Sequence, residues 1–85
     1  MADIVVYSTE RCPYCVMAKR LLESKSLTYR EIDVTNDEAL LQEMVARSGR
    51  RTVPEIFIDD DLVGGYDDLA RLNATGELDR QLGLG

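Results

Sequence analysis

Asp3-Ile4-Val5-Val6-Tyr7-Ser8, followed after Thr9-Glu10-Arg11 by Cys12-Pro13-Tyr14-Cys15 and then by residues 16–24, is the stretch that decides the fold. Residues 3–8 are a short β-branched and aromatic run, the pattern of a buried strand. Residues 9–11 are polar and read as a loop. Pro13 suits the first turn of a helix, where its missing N–H costs nothing. From Tyr14 to Ser24 every residue favours or tolerates helix, with Cys15, Ala18, Leu21 and Leu22 near one face. Lys19, Arg20 and Lys25 fall in or just after the later turns, where cations suit the helix dipole. A strand thus runs into a helix whose N-terminus carries two cysteines.

That placement has chemical consequences. A helix N-terminus presents unpaired N–H groups and roughly half a positive charge. A sulfur held there is stabilised as a thiolate, and Arg11 adds a full charge beside it. Three-residue spacing puts both sulfurs on one helical face, close enough to form a disulfide. Cys12, at the boundary, is expected to be exposed and acidic; Cys15, one turn inside, more buried and less reactive. An acidic thiol gains thiolate but loses nucleophilicity nearly in step, so its clear advantage is as a leaving group from a mixed disulfide.

Working outward, residues 27–34 alternate imperfectly and predict a second strand. Thr35 or Asn36 is the expected cap of a second helix, with Glu38 in its first turn and Leu40, Leu41, Met44 and Val45 along it, ending at Ser48-Gly49. Residues 50–54 read as a loop into a third strand, Glu55 to Ile58. Asp59-Asp60-Asp61 is a turn, and residues 62–65 a short fourth strand, hence a hairpin. Asp67-Asp68 opens a last helix that Gly76 interrupts before Leu78 to Leu82. The order βαβαββα demands a right-handed parallel βαβ unit followed by an antiparallel hairpin and a helix. The fold class is α/β: one four-stranded mixed sheet with helices on both faces.

Composition narrows the chemistry. Eighty-five residues suit a single domain spanning 1–85. The two cysteines lie three positions apart, too close for their bridge to constrain the unfolded chain much. Secreted domains of this size usually carry more cysteines. Residues 1–6 lack the basic start and apolar run of a signal peptide, and no stretch approaches the roughly 20 apolar residues that span a bilayer. A cytoplasmic location is expected. The net charge of −6 argues against nucleic acid or an anionic membrane as partner. With no histidine and only two cysteines, a closed four-ligand zinc site cannot form within the chain, so no metal ligands are assigned. Inert buried cysteines and half a metal site are the competing readings of Cys12 and Cys15; redox chemistry is favoured.

The start Cys-Pro-Tyr-Cys at residues 12–15, Thr52-Val53-Pro54 about forty residues on, and Gly64-Gly65-Tyr66-Asp67-Asp68 together resemble a dithiol glutaredoxin of bacterial type, over nearly the whole chain. The resemblance implies a thioredoxin fold, with Cys12 and Cys15 as the catalytic pair. It implies a glutathione groove drawn from Arg11, Tyr14, Thr52, Val53, Pro54, Tyr66, Asp67 and Asp68. Pro54 would be cis and Val53 would pair its backbone with the tripeptide as an added strand. The start of the last helix would receive the γ-glutamyl carboxylate. Glutathione would be a co-substrate, with no bound cofactor, and the other partners would be disulfide-containing or glutathionylated proteins met by a monomer. Taken singly, Thr-Val-Pro is a loop before a strand and Asp67-Asp68 a common helix cap; it is their combination that points to a site.

The chain departs from the family pattern at three places. Thr9 stands where members commonly carry lysine, Leu41 falls near where many carry Arg or Gln, and Tyr66 replaces a small residue. Arg11, Arg50 and Arg51 are the cations nearest in sequence to stand in for these anchors. Two other functions fit parts of the pattern. One is a redoxin reduced by a thioredoxin-reductase-type flavoprotein, although the chain lacks the tryptophan of Trp-Cys-Gly-Pro-Cys. The other is an iron–sulfur cluster carrier with Cys12 from each of two chains, against which Pro13 and Tyr14 argue.

Overall fold

The computed structural model describes residues 2–84. Eight elements follow one another: β1 (Ile4–Ser8), α1 (Pro13–Ser24), β2 (Arg30–Asp33), α2 (Glu38–Ser48), β3 (Glu55–Ile58), β4 (Asp61–Gly64), α3 (Tyr66–Thr75) and α4 (Glu77–Leu82). The strands form one sheet in the order β2-β1-β3-β4. β1 pairs with β2 in parallel, and β3 with both β1 and β4 antiparallel, so the sheet is mixed as the sequence predicts.

Strands β1 and β3 lie in the middle of this sheet, and every residue of both is buried. Alternation divides their side chains between two cores. Ile4, Val6, Ile56 and Ile58 face Ala18 and Leu22 of α1, Leu69 of α3 and Leu78 of α4. Val5, Tyr7 and Phe57 face Met44 of α2 and Val34, which follows β2. Each large aliphatic buried this way contributes about 1.5–3 kcal/mol of transfer free energy, and the two cores clamp the sheet between helices on both faces. Strand β2, at the edge, is largely exposed.

Differences from the sequence expectations have local causes. The second strand is shorter than residues 27–34, because Leu27 and Tyr29 leave the ladder to pack against the α1-side core. The cap of α2 is Asp37 rather than Thr35 or Asn36: its carboxylate accepts the Leu40 N–H at 3.0 Å. Thr35 serves a different contact, its hydroxyl oxygen accepting the Glu10 N–H at 2.9 Å. Asp59 and Asp60 both adopt positive φ, so the hairpin turn is two residues long and β4 begins at Asp61. Gly76, at φ 81°, ends α3 and starts a separate α4, which turns the expected seven elements into eight. Lys19 and Lys25 reach sideways to Glu31 and Asp79, each at 2.8 Å, rather than capping the end of α1.

Candidate active site

Cys12 is the N-cap of α1, extended at φ −130° and ψ 101°. Its sulfur accepts the Cys15 N–H at 3.1 Å, so one of the helix's unpaired amides points at it. Both cysteines are free thiols. Cys12 is half-buried, whereas Cys15 is 1 % exposed. Burial first, and then the hydrogen bond and charge of Cys12, push the Cys15 thiol up to about 12; a backbone bond at Thr9 and the Lys19 charge oppose this. Cys15 is thus the more deeply buried of the two, as the spacing predicts, and desolvation is the main cause of its raised thiol.

A second segment meets the first across the Cys12 sulfur. The Val53–Pro54 peptide is cis, and the Cys12 thiol donates to the Val53 carbonyl with Sγ 3.7 Å from the oxygen. Beside it opens a cavity of about 310 Å³ lined by Tyr14, Arg50, Thr52, Val53, Pro54, Glu55, Gly65, Tyr66, Asp67 and Asp68. Tyr14, 58 % exposed, stacks on Tyr66 with ring centroids 6.3 Å apart. Tyr66, bulkier than the residue usual after Gly-Gly, thus forms a two-ring wall with Tyr14.

At the far wall α3 begins. The Asp68 carboxylate accepts the Gly65 N–H at 3.0 Å and lies 4.0 Å from Arg50 and 3.5 Å from Arg71. Asp67, next to it, is exposed. Gly64 makes this approach possible: at φ 117° it has a conformation that L side chains rarely adopt, and a Cβ there would come within 2.3 Å of the Asp68 carboxylate. Glu55 lies at the base, fully buried. One oxygen accepts the Thr52 hydroxyl at 2.8 Å, while the other, Oε1, has no hydrogen-bond partner among the described residues and lies 4.0 Å from Arg50 Nε. Burial raises its carboxyl above the usual range, against the pull of Thr52 and Arg50.

Of the site residues expected from sequence, Tyr14, Thr52, Val53, Pro54, Tyr66, Asp67 and Asp68 converge on the cavity, and Cys12 abuts it through Val53. Arg11 does not line it and is exposed. Arg50 takes the cationic position in the groove, and Arg51 is not part of the lining. The sequence reading missed Glu55, although a charge opening the otherwise apolar run Ile56-Phe57-Ile58 was the available signal. It also missed the steric role of Gly64, which only the approach of Asp68 reveals.

A mixed sheet that sets a Cys-X-X-Cys helix start against a cis-proline loop defines a thioredoxin-fold thiol–disulfide oxidoreductase. Residues 4–63 match the family described as glutaredoxin. Glutaredoxin 3 of Escherichia coli strain K12 is 49% identical over 79 residues, covering 93% of this chain and 95% of that protein. Among solved structures, glutaredoxin from Brucella melitensis is 46% identical with a TM-score of 0.82, over 94% of this chain and 87% of that one. A buckwheat glutaredoxin–glutathione complex is 28% identical with a TM-score of 0.86, over 96% of this chain and 77% of that one. The chain belongs to the glutaredoxin family.

Proposed function

We propose that residues 1–85 act as one glutaredoxin domain that reduces glutathione–protein mixed disulfides and protein disulfides, with glutathione as electron donor. The observation that carries this reading is the Cys12 sulfur, capped by the Cys15 N–H and set 3.7 Å from the Val53 carbonyl at the wall of the groove.

In the groove, Val53 offers its N–H and C=O to the glutathione cysteine as an added strand. When the ligand amide takes the Val53 carbonyl, the Cys12 thiol loses its acceptor while the Cys15 N–H donor remains, an arrangement that suits the thiolate. Tyr14, Thr52, Pro54 and Tyr66 flank the tripeptide. The start of α3 at Asp67 and Asp68 faces the γ-glutamyl carboxylate with its free N–H groups, and the Asp67 carboxylate serves the ligand ammonium. Arg50 holds the other ligand carboxylate, in place of a lysine at Thr9. Arg11 remains a cation outside the groove, for the approaching substrate.

In the monothiol route the Cys12 thiolate attacks the glutathione sulfur of a mixed disulfide. A Cys12–glutathione bond forms and the protein thiolate leaves, to be protonated by solvent. A second glutathione thiolate attacks the bound glutathione sulfur, releasing oxidised glutathione and the Cys12 thiolate. In the dithiol route Cys12 attacks a protein disulfide and releases one substrate thiolate, and Cys15 then attacks the Cys12 sulfur of the mixed disulfide and releases the other, both protonated by solvent. Once Cys12 is tied in a disulfide, its contributions to the raised Cys15 thiol disappear and only burial continues to oppose ionisation. The product Cys12–Cys15 disulfide takes two electrons from two glutathiones. The protein works as a monomer, in a reducing compartment such as the cytoplasm, on glutathionylated or disulfide-containing proteins.

Coupled reduction of a small glutathione mixed disulfide and of a protein disulfide tests both routes. Cys12→Ser is expected to abolish both, and Cys15→Ser only the second. A Cys12→Ser protein that still turned over the mixed disulfide would refute the assignment.

A further inference from the structure

Glu55 stands apart from the machinery just described. It is fully buried, it lines the groove, and its Oε1 lacks any hydrogen-bond partner among the described residues. A buried oxygen left unpaired is destabilising, so Oε1 is a polar atom that a ligand group beside Arg50 can satisfy. The charged and titratable groups that face it are few. Arg50 Nε, from the loop after α2, lies 4.0 Å from Oε1, and Arg50 is also 4.0 Å from Asp68 of α3. Tyr7, its cross-strand neighbour on β1, has its hydroxyl engaged with Glu43 and Arg47 of α2. One guanidinium thus stands among two carboxylates at the place where an anionic ligand group needs a cation.

We propose that Glu55 is a titrating member of the groove: protonated, it donates from Oε1 to a ligand carboxylate held by Arg50, and ionised, it occupies Arg50 and repels that carboxylate. Ligand binding is then coupled to proton uptake at Glu55. The direction follows from the charges. A carboxylate ligand favours the protonated form, so its affinity falls as pH rises through the Glu55 titration. Burial supports the idea by holding the proton to higher pH than an exposed glutamate would. Thr52 fixes the geometry, because its hydroxyl keeps Oε2 occupied and leaves Oε1 as the oxygen beside Arg50. The proposal rests on the glutathione reading.

The probe is S-methylglutathione, which cannot form a disulfide, bound to wild type and to Glu55→Gln between pH 5 and 7.5. Gln keeps the shape and an acceptor for Thr52, and supplies a permanent donor. Wild-type affinity is expected to fall about three- to tenfold over this range, with proton uptake on binding seen by calorimetry in two buffers. Glu55→Gln is expected to show a flat profile without uptake. Titration elsewhere in the groove is common to both proteins and cancels in the comparison. Equal slopes in the two proteins, or a flat wild-type profile without uptake, overturn the role of Glu55 and leave glutathione binding intact. Absence of binding by wild type at every pH overturns the glutathione reading and this inference with it. Arg50→Met is expected to weaken binding at every pH, and unchanged affinity there also overturns the proposal.

Discussion

Cys12 and Cys15 are placed by a single helical turn, whereas Arg50, Glu55 and Asp68 reach one another from a loop, a strand and a helix. The two regions touch at Val53, whose carbonyl meets the Cys12 sulfur. The first depends on local rules: proline at N1, a cap, and spacing three apart. The second exists only once β3, β4 and α3 have packed. Chemistry at Cys12 should therefore tolerate changes that ruin the groove, while recognition should not. The two regions also handle burial differently. Desolvation makes Cys15 inert until its partner is engaged, and it leaves Glu55 with an unspent hydrogen-bonding oxygen.

The sharpest break of this comparison is thiol selectivity within the first region. With its thiol pushed up to about 12, Cys15 carries at least roughly a hundredfold less thiolate than an ordinary thiol near neutral pH. Native protein treated with iodoacetamide at pH 8 is expected to take one label, at Cys12, and a second only after denaturation, as mass spectrometry would read. The sign of the linkage is definite. Folded Cys15 keeps its proton above the pH where the unfolded thiol, near its ordinary 9.0, loses it. Its stabilising contribution is whole below that value and declines as pH rises toward about 12. Urea midpoints should drop more steeply between pH 9 and 11 for wild type than for Cys15→Ser. Equal labelling of both thiols at pH 8 would mean that burial is not what separates them.

Next in size is Gly64→Ala, aimed at the second region. Alanine must adopt φ 117° or shift β4, and its Cβ would meet the Asp68 carboxylate at 2.3 Å and Arg50 at 3.2 Å. Residues forced into such backbone regions cost about 1–3 kcal/mol. Displacing Asp68 and Arg50 should also raise KM for glutathione by roughly tenfold, the loss of one charge-assisted contact. Alkylation of Cys12 should hardly change. A parallel fall in that rate would show that the two regions are one unit after all.

What the sequence discloses follows the same division. The strand, the Pro13 helix start and the deeper burial of Cys15 are legible because each depends on neighbours within a few residues. The four strands and their mixed pairing are legible too, from the βαβ rule and the hairpin. Boundaries slip where several polar residues compete for one role: Thr35, Asn36 and Asp37 can each cap a helix, and only packing gives the task to Asp37 and sends Thr35 to Glu10. Glu55 is hard to place because a charge opening the run Ile56-Phe57-Ile58 marks a strand end without saying whether that end is solvated or buried. Arg50 rather than Arg11 lines the groove for a similar reason: sequence proximity to Cys12 says nothing about which side chains reach the cavity.

The contact between Thr35 and Glu10 gives the finest test, because it is where a distant part of the chain holds the loop before Cys12. Thr35→Val keeps the shape and removes the acceptor for the Glu10 N–H, while the Thr35 N–H bond to Asp33 at 2.8 Å survives. Glu10 is exposed, so water can replace the lost partner. The cost should lie near the low end of about 0.5–1.5 kcal/mol for a hydrogen bond, measurable as a shift of the urea midpoint. If the reactive centre is as local as its spacing implies, Cys12 alkylation should change by less than about twofold, because the Cys15 N–H and the Pro13 helix start hold the sulfur without help from the loop. A several-fold change would extend the reactive region through residues 9–11 to the end of β2, and Cys12 would then depend on tertiary packing as the groove does.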